Sequence, residues 1–184
     1  MKIAIDIDST LHHYWDALEA AAHRRFGVRL PYEHQVTWAI DALRPEQLRA
    51  CIAETHRDDI VLAAEPYPHA VEVVRRWHEA GHWIHITSHR STDAHGATAR
   101  WLERIGLPYD DLHCSYDKIS RARELGIDVL VDDSPVNLVG ALEAGMIGAT
   151  LVHPWNRELL EEEDEIVAAE DWPGLERELQ PFLT

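Results

Sequence analysis

The sequence predicts an α/β protein: a doubly wound parallel sheet with a small helical cap inserted after the first strand. Three observations predict it. From residue 66 onward a helical stretch, a glycine and a short strand recur in that order; the strands are apolar runs; and residues 11–65 carry helical patterns with no strand between them. Apolar strands flanked by helices are what a parallel sheet covered on both faces requires, and its crossovers are right-handed.

The first strand lies in MKIAIDID and ends in two acids, Asp6 and Asp8. Leu11 to Phe26 reads as a helix, Gly27 to Gln35 as a loop and Pro45 to His56 as a second helix. A simple crossover needs only about a dozen residues, so this longer strandless stretch predicts a cap over the carboxyl end of the first strand. The expected division is a core of residues 1–10 and 66–184 with a cap of 11–65; two ordinary covering helices are the alternative. Beyond it, AVEVVRRWHEAG leads into HWIHITS, ATARWLERIG into LPYDDLHC, ISRARELG into IDVLVDD, and NLVGALEAG into MIGATLV. Gly81, Gly106, Gly126 and Gly145 stand where a helix C-terminus turns through positive φ into the next strand. Pro68 and Pro135 suit first helical turns, with Ser134 as an N-cap. The acidic run EEEDE (161–165) reads as a solvated helix face, and AEDWPGLERELQPFLT as a terminal helix.

Composition excludes several function classes. No segment approaches the ~18 consecutive apolar residues of a membrane span, and acids stand where a signal peptide would continue its apolar run. A soluble, cytoplasmic protein is expected. Cys51 and Cys114 are too few for a disulfide framework, and the 13 histidines include no HExxH. The net charge of −16 disfavours a nucleic-acid polymer. Only two of the 17 basic residues are lysines, Lys2 and Lys118. Lys118 therefore stands out as a place where a compact ammonium is wanted instead of a planar guanidinium.

Ligands of open α/β sheets bind beyond the carboxyl ends of the strands. Those ends here carry Asp6 and Asp8, then Thr87, Ser88, His89 and Arg90, then Asp132 and Asp133, with Lys118 opening the helix before the last of these strands. Singly, each is an ordinary solvated acid or helix cap. Together they suit phosphoryl transfer. Four carboxylates on one rim repel each other unless a cation is present, and an oxygen-only donor set points to Mg2+. A carboxylate can attack phosphorus, a second can move the proton, and Thr87 and Lys118 can stabilise phosphoryl oxygens.

The ordered set resembles the haloacid dehalogenase superfamily: DIDSTL its first motif, IHITS its second, Lys118 its third and VLVDD its fourth. The resemblance implies a Rossmann-like core and phosphatase chemistry, with Asp6 as nucleophile, Asp8 as general acid/base, and Thr87, Ser88 and Lys118 on phosphate. It also implies Mg2+ held by Asp132, Asp133, Asp6 and the Asp8 backbone carbonyl. EPYPHAVEVVRRW, ITSHR, DLHCSYDK, VLVDDSPVN and HPWN further resemble the 5′(3′)-deoxyribonucleotidases and their bacterial relatives. Where that family often has DxDGV this chain has DIDST, so Ser9 replaces a glycine.

The function expected is a Mg2+-dependent phosphomonoester hydrolase acting through an aspartyl-phosphate, a 5′-nucleotidase on (deoxy)nucleoside monophosphates. A phosphatase of sugar phosphates is the alternative. Trp15 and Trp38, with Tyr14, are candidates to stack on a base, and core packing is the other reading of each. Arg90, His12 and His13 are candidate polar contacts, and Trp155 and Asn156 a structural turn beside the site. The partner expected is a small phosphorylated metabolite; no membrane is expected, and a homodimer is left open. A receiver domain is disfavoured, because the lysine precedes its strand and the acidic pair comes late. A non-catalytic binding relative would be expected to lack Asp6, Asp8 or the lysine.

Overall fold

The computed structural model describes residues 1–90, 92–114 and 117–183; the SY of DLHCSYDK falls outside them. Six parallel strands form one sheet: β1 (Lys2–Ile5), β2 (Trp83–Ser88), β3 (Asp111–Cys114), β4 (Val129–Val131), β5 (Ile147–Leu151) and β6 (Val167–Ala169). Their spatial order is β3-β2-β1-β4-β5-β6, which puts β1 at the centre with the order reversing beside it. Alternation along β1 sorts the two faces. Ile3 and Ile5 join α4 (Ala70–Glu79), α5 (His95–Ile105) and α9 (Trp172–Leu179) in the larger core. Ala4 faces α6 (Lys118–Leu125) and α7 (Pro135–Glu143) with Leu130 and Met146. Gly106 and Gly126 close α5 and α6 in the left-handed conformation, as their places before strands predict.

Between β1 and α4 the chain forms α1 (Tyr14–Phe26), α2 (Pro45–Thr55) and α3 (Asp58–Ala63), with a single 3-10 turn at Tyr32–His34. Trp15, Leu18, Leu30, Leu43 and Cys51 make a cluster separate from the sheet's, joined by Trp155 from the turn after β5. The insertion leaves and rejoins the core side by side: His12 bridges to Pro66, and Tyr67 N donates to the Leu11 carbonyl at 2.8 Å. Two core tryptophans pin both ends, Trp172 on the Thr10 carbonyl at 3.1 Å and Trp101 on the Ala64 carbonyl at 2.8 Å.

Several elements differ from expectation. Helix α1 begins at Tyr14, not Leu11, because Leu11 N turns back to the Ile7 carbonyl and its side chain is buried in the main core. Helix α3 and strand β6 were not foreseen; six and three residues carry too little periodicity to read. Strand β6 takes its first residues from just before the stretch expected to be a terminal helix, which is limited to Trp172–Leu179. The acidic run is not one helix face, since α8 (Arg157–Glu162) stops within it. Pro68 lies outside α4, whose N-cap is His69, whereas Pro135 does open α7 after Ser134. No helix among the described residues is long and apolar enough to cross a membrane.

Candidate active site

Register brings the acids together. Ile5 pairs with Ile86 on one side and with Val131 on the other, so the next residues of three adjacent strands, Asp6, Thr87 and Asp132, stand level at the carboxyl edge. Lys118, first residue of α6, reaches back to them: its Nζ donates to Asp6 Oδ1 at 2.6 Å and to Asp132 Oδ2 at 2.9 Å. A cation at a helix N-terminus opposes the helix dipole, and Lys118 is only 3% exposed. The two carboxylates offset both costs and hold its pKa above the ordinary lysine value despite burial.

One ammonium does not balance three buried acids. Carboxylate oxygens of Asp6, Asp132 and Asp133 lie within 4.8 Å of one another. Burial pushes Asp6 up to about 7, against the pull of Lys118 and with repulsion from Asp132 and Asp8. Burial, with Asp132 and Asp6 beside it, likewise holds Asp133 well above the carboxylate range. The excess negative charge and the all-oxygen donors fit a hard divalent cation. Asp132 already accepts bonds from Lys118, the Ser134 backbone at 2.9 Å and both contacts of Asn137 Nδ2 at 3.1 Å. Asn137 closes the VLVDDSPVN stretch, but no role for it was legible in the sequence.

Asp8 lies apart from this trio. Arg90 forks onto it, Nη2 to Oδ1 at 2.6 Å and Nε to Oδ2 at 3.1 Å, and His12 Nε2 stands 2.9 Å from Oδ1. Burial alone would raise the Asp8 pKa, yet the Arg90 guanidinium and His12 hold it well below the usual range. Arg90 is thus placed on Asp8 and Thr98 rather than in the main cavity: it is 2% exposed, and its Nη1 donates to Thr98 Oγ1 at 3.2 Å. Arg90→Met leaves a largely buried carboxylate, its side chain 18% exposed, without its main partner. The expected loss is about 3 kcal/mol, read as a lower midpoint in urea unfolding.

Thr87 and Ser88 end β2 in the interior. The Thr87 hydroxyl has no hydrogen-bond partner, which is uncommon for a buried polar atom; Ser88 Oγ accepts from Arg90 N at 3.3 Å. Neither residue lines the main cavity, which measures about 450 Å³ and runs from Asp6, Asp8, Lys118, Asp132 and Asp133 to the insertion. Its far wall is apolar, with Trp15, Leu18, Ile40, Leu48, Ile52 and Trp155. Trp38 lines it too and is 47% exposed, edge-on to Trp155 at 6.3 Å. Trp15 is buried, lies 5.4 Å from Trp155 and donates to the Leu30 carbonyl at 2.6 Å, so it serves the insertion's own core as well as the cavity wall. His56, from the end of α2, lines the cavity 3.9 Å from Asp8 Oδ2, a contact without a sequence signal. His13 sits instead beside Asp16 at 3.3 Å.

The chain is similar in fold to several solved phosphatases and hydrolases. A predicted phosphatase from Clostridium acetobutylicum superposes with TM-score 0.71 at 12% identity, covering 98% of each chain. A HAD family hydrolase from Deinococcus radiodurans R1 with bound phosphate and sodium gives 0.64 at 16% identity, covering 99% of this chain and 94% of that one. A mutant of CbbY from Rhodobacter sphaeroides, in complex with xylulose-(1,5)bisphosphate, gives 0.62 at 15% identity over 95% of this chain and 98% of that one. No curated protein matches the sequence significantly. The family model described as "5′ nucleotidase, deoxy (Pyrimidine), cytosolic type C protein" matches residues 1–175. With nearly the whole chain matched, the protein belongs to that family.

Proposed function

We propose that the protein is a Mg2+-dependent 5′-nucleotidase that hydrolyses (deoxy)nucleoside monophosphates through an aspartyl-phosphate on Asp6. The observation that carries this reading is a single cavity with carboxylates and Lys118 at one end and a tryptophan-lined apolar wall at the other. Its volume suits a small-molecule ligand. Among the described lining residues Lys118 is the only lysine or arginine, so a second phosphate group finds no guanidinium or further ammonium there. The wall offers the hydroxyls of a sugar phosphate mainly apolar side chains, with Tyr14, Gln35, Thr37 and His56 as the polar exceptions, whereas a base presents a flat face to it.

In this reading Asp6 attacks phosphorus, the bond to the nucleoside oxygen breaks, and water then releases phosphate from Asp6. Asp8, once protonated, gives its proton to the departing nucleoside oxygen in the first half and takes one from the attacking water in the second, so the proton balances over the cycle; held as a carboxylate by Arg90, it is set for the second. Lys118 orients Asp6 and offsets charge on the phosphoryl oxygens; the unpartnered Thr87 hydroxyl, level with Asp6 but outside the cavity lining, is the second group proposed to donate to one of them. Mg2+ would be held by Asp6, Asp133 and the Asp8 carbonyl, with Asp132 fixing Lys118, and would supply electrostatic stabilisation of the transferring group. Residues 11–65 act as the cap that closes the cavity over the leaving group.

The test is phosphate release from a panel of nucleoside monophosphates and sugar phosphates, with and without Mg2+. Metal-dependent turnover preferring nucleotides is expected. Ribose phosphates preferred over nucleotides would decide for the sugar-phosphate alternative, and no release from any substrate would remove both.

A metal prediction follows from the raised acids. Asp6, with a folded pKa above the unfolded value, keeps a proton that the unfolded chain releases, so its contribution to stability falls as pH rises from about 4 to about 7, and Asp133 acts in the same direction. A cation relieves that penalty where the acids are ionised. Saturating Mg2+ is expected to raise the melting temperature by roughly 5–10 °C at pH 8 and by much less at pH 5.5, measured by thermal unfolding against an EDTA control.

A further inference from the structure

Ser9, directly after Asp8, has φ 64°, a left-handed conformation that a serine with its Cβ adopts at a cost. It is buried, and the backbone bonds that close its turn, Thr10 N and Leu11 N to the Ile7 carbonyl, do not touch its own carbonyl. That carbonyl is held by His153 Nε2 at 2.7 Å, while the other ring nitrogen, Nδ1, lies 2.7 Å from the Tyr32 hydroxyl. A carbonyl only accepts, so Nε2 carries the proton; burial keeps the ring neutral, so Nδ1 accepts from the tyrosine. The chain of donors therefore runs Tyr32 O–H to His153 to Ser9. Tyr32 belongs to the insertion and His153 to the turn after β5.

The same turn grips the second acidic loop. Trp155 stacks on His153 at 4.6 Å and 1° and donates its Nε1 to the Asp133 carbonyl at 3.2 Å. Asn156 reaches that carbonyl at 3.4 Å and accepts from His153 N at 2.8 Å. One four-residue turn thus holds the main chain beside Asp8 and at Asp133, and its histidine is oriented by a hydroxyl from the insertion.

We propose that Tyr32 and His153 are positioning residues: when the insertion is seated, the Tyr32 hydroxyl sets the His153 ring that holds Ser9 in its left-handed turn, and so places Asp6 and Asp8 for reaction. The kinetic half of this inference rests on the phosphatase reading above; the structural half does not. Three variants test it: Tyr32→Phe, His153→Phe, and His153→Gln, whose amide can donate to Ser9 and accept from Tyr32. Amide hydrogen exchange at Thr10 and Leu11 is expected to quicken at least about fivefold in both phenylalanine variants, with Ile3 to Ile5 unchanged and His153→Gln near wild type. On a nucleoside monophosphate, kcat is expected to fall about tenfold in the phenylalanine variants with KM within about twofold, and to recover in His153→Gln. Unchanged exchange at Thr10 and Leu11, glutamine as damaging as phenylalanine, or a loss confined to KM overturns the proposal. Should His153→Phe fail to fold, Tyr32→Phe carries the same readouts. If the wild type releases no phosphate, the phosphatase reading falls and the exchange measurements still decide whether this pair holds the turn.

Discussion

Asp6→Asn is expected to abolish phosphate release, by roughly 10⁴-fold or more, the scale on which enzymes lose rate with their nucleophile. The reason is chemical: an amide oxygen in the same place does not form the acyl-phosphate. Geometry is expected to survive, because the asparagine oxygen can still accept from Lys118 at the position Asp6 Oδ1 occupies 2.6 Å away. The same change removes a charge that is costly here, since burial pushes the Asp6 carboxyl up to about 7. Without metal at pH 8 the variant is therefore expected to be more stable than wild type, by on the order of 2 kcal/mol, and the difference should vanish near pH 5, where Asp6 is protonated anyway. Phosphate release and thermal unfolding in EDTA at the two pH values check both halves. Activity within tenfold of wild type would remove Asp6 from its role.

Lys118→Arg is expected to lose at least about 100-fold in kcat although it keeps the charge. The ammonium sits 2.6 Å from Asp6 and 2.9 Å from Asp132 in a space with almost no exposure. A longer planar fork must push one carboxylate aside, and overpacking of this kind costs typically about 1–3 kcal/mol. Lys118→Met goes further and leaves three clustered acids with no cation. It is expected to lose about 3–5 kcal/mol at pH 8, with part regained in saturating Mg2+ or at lower pH. Urea unfolding and initial rates of the two variants separate charge from shape. An arginine variant within a factor of two of wild type would refute the role given to Lys118.

Much of the fold is legible because its signals are local. Gly106 and Gly126 turn α5 and α6 toward their strands, and the one that Gly126 introduces, Val129–Val131, is a fully buried apolar run of the kind a covered sheet accommodates. The acids were legible for a related reason: Asp6, Asp132 and Lys118 each mark the end or start of an element whose place in a parallel sheet is predictable. Short elements were not. Helix α3 and edge strand β6 are defined by what they pack and pair with, namely α5 and β5, rather than by their own periodicity.

Arg90 shows the limit most plainly. Its position after the second motif suggested a contact with an anionic substrate, but the nearest anion in space is Asp8, 82 residues away, and that pair takes its guanidinium out of the main cavity. His56 was one of many histidines until folding put it beside Asp8, and His12 and His153, marked only as a candidate polar contact and as part of HPWN, took their partners, Asp8 and the Ser9 carbonyl, from the fold.

The helix–strand alternation from α4 to β5, the chemistry carried at each strand end and the long helical interruption after β1 were determined by the sequence alone, because periodicity, turn residues and caps act over a few neighbours. Which acids share a cation, which are pushed up or held down, and which histidine grips the strained Ser9 were decided only by the tertiary structure. Those properties depend on distances between groups up to 144 residues apart and on their removal from water, and neither is a property of any local stretch of chain.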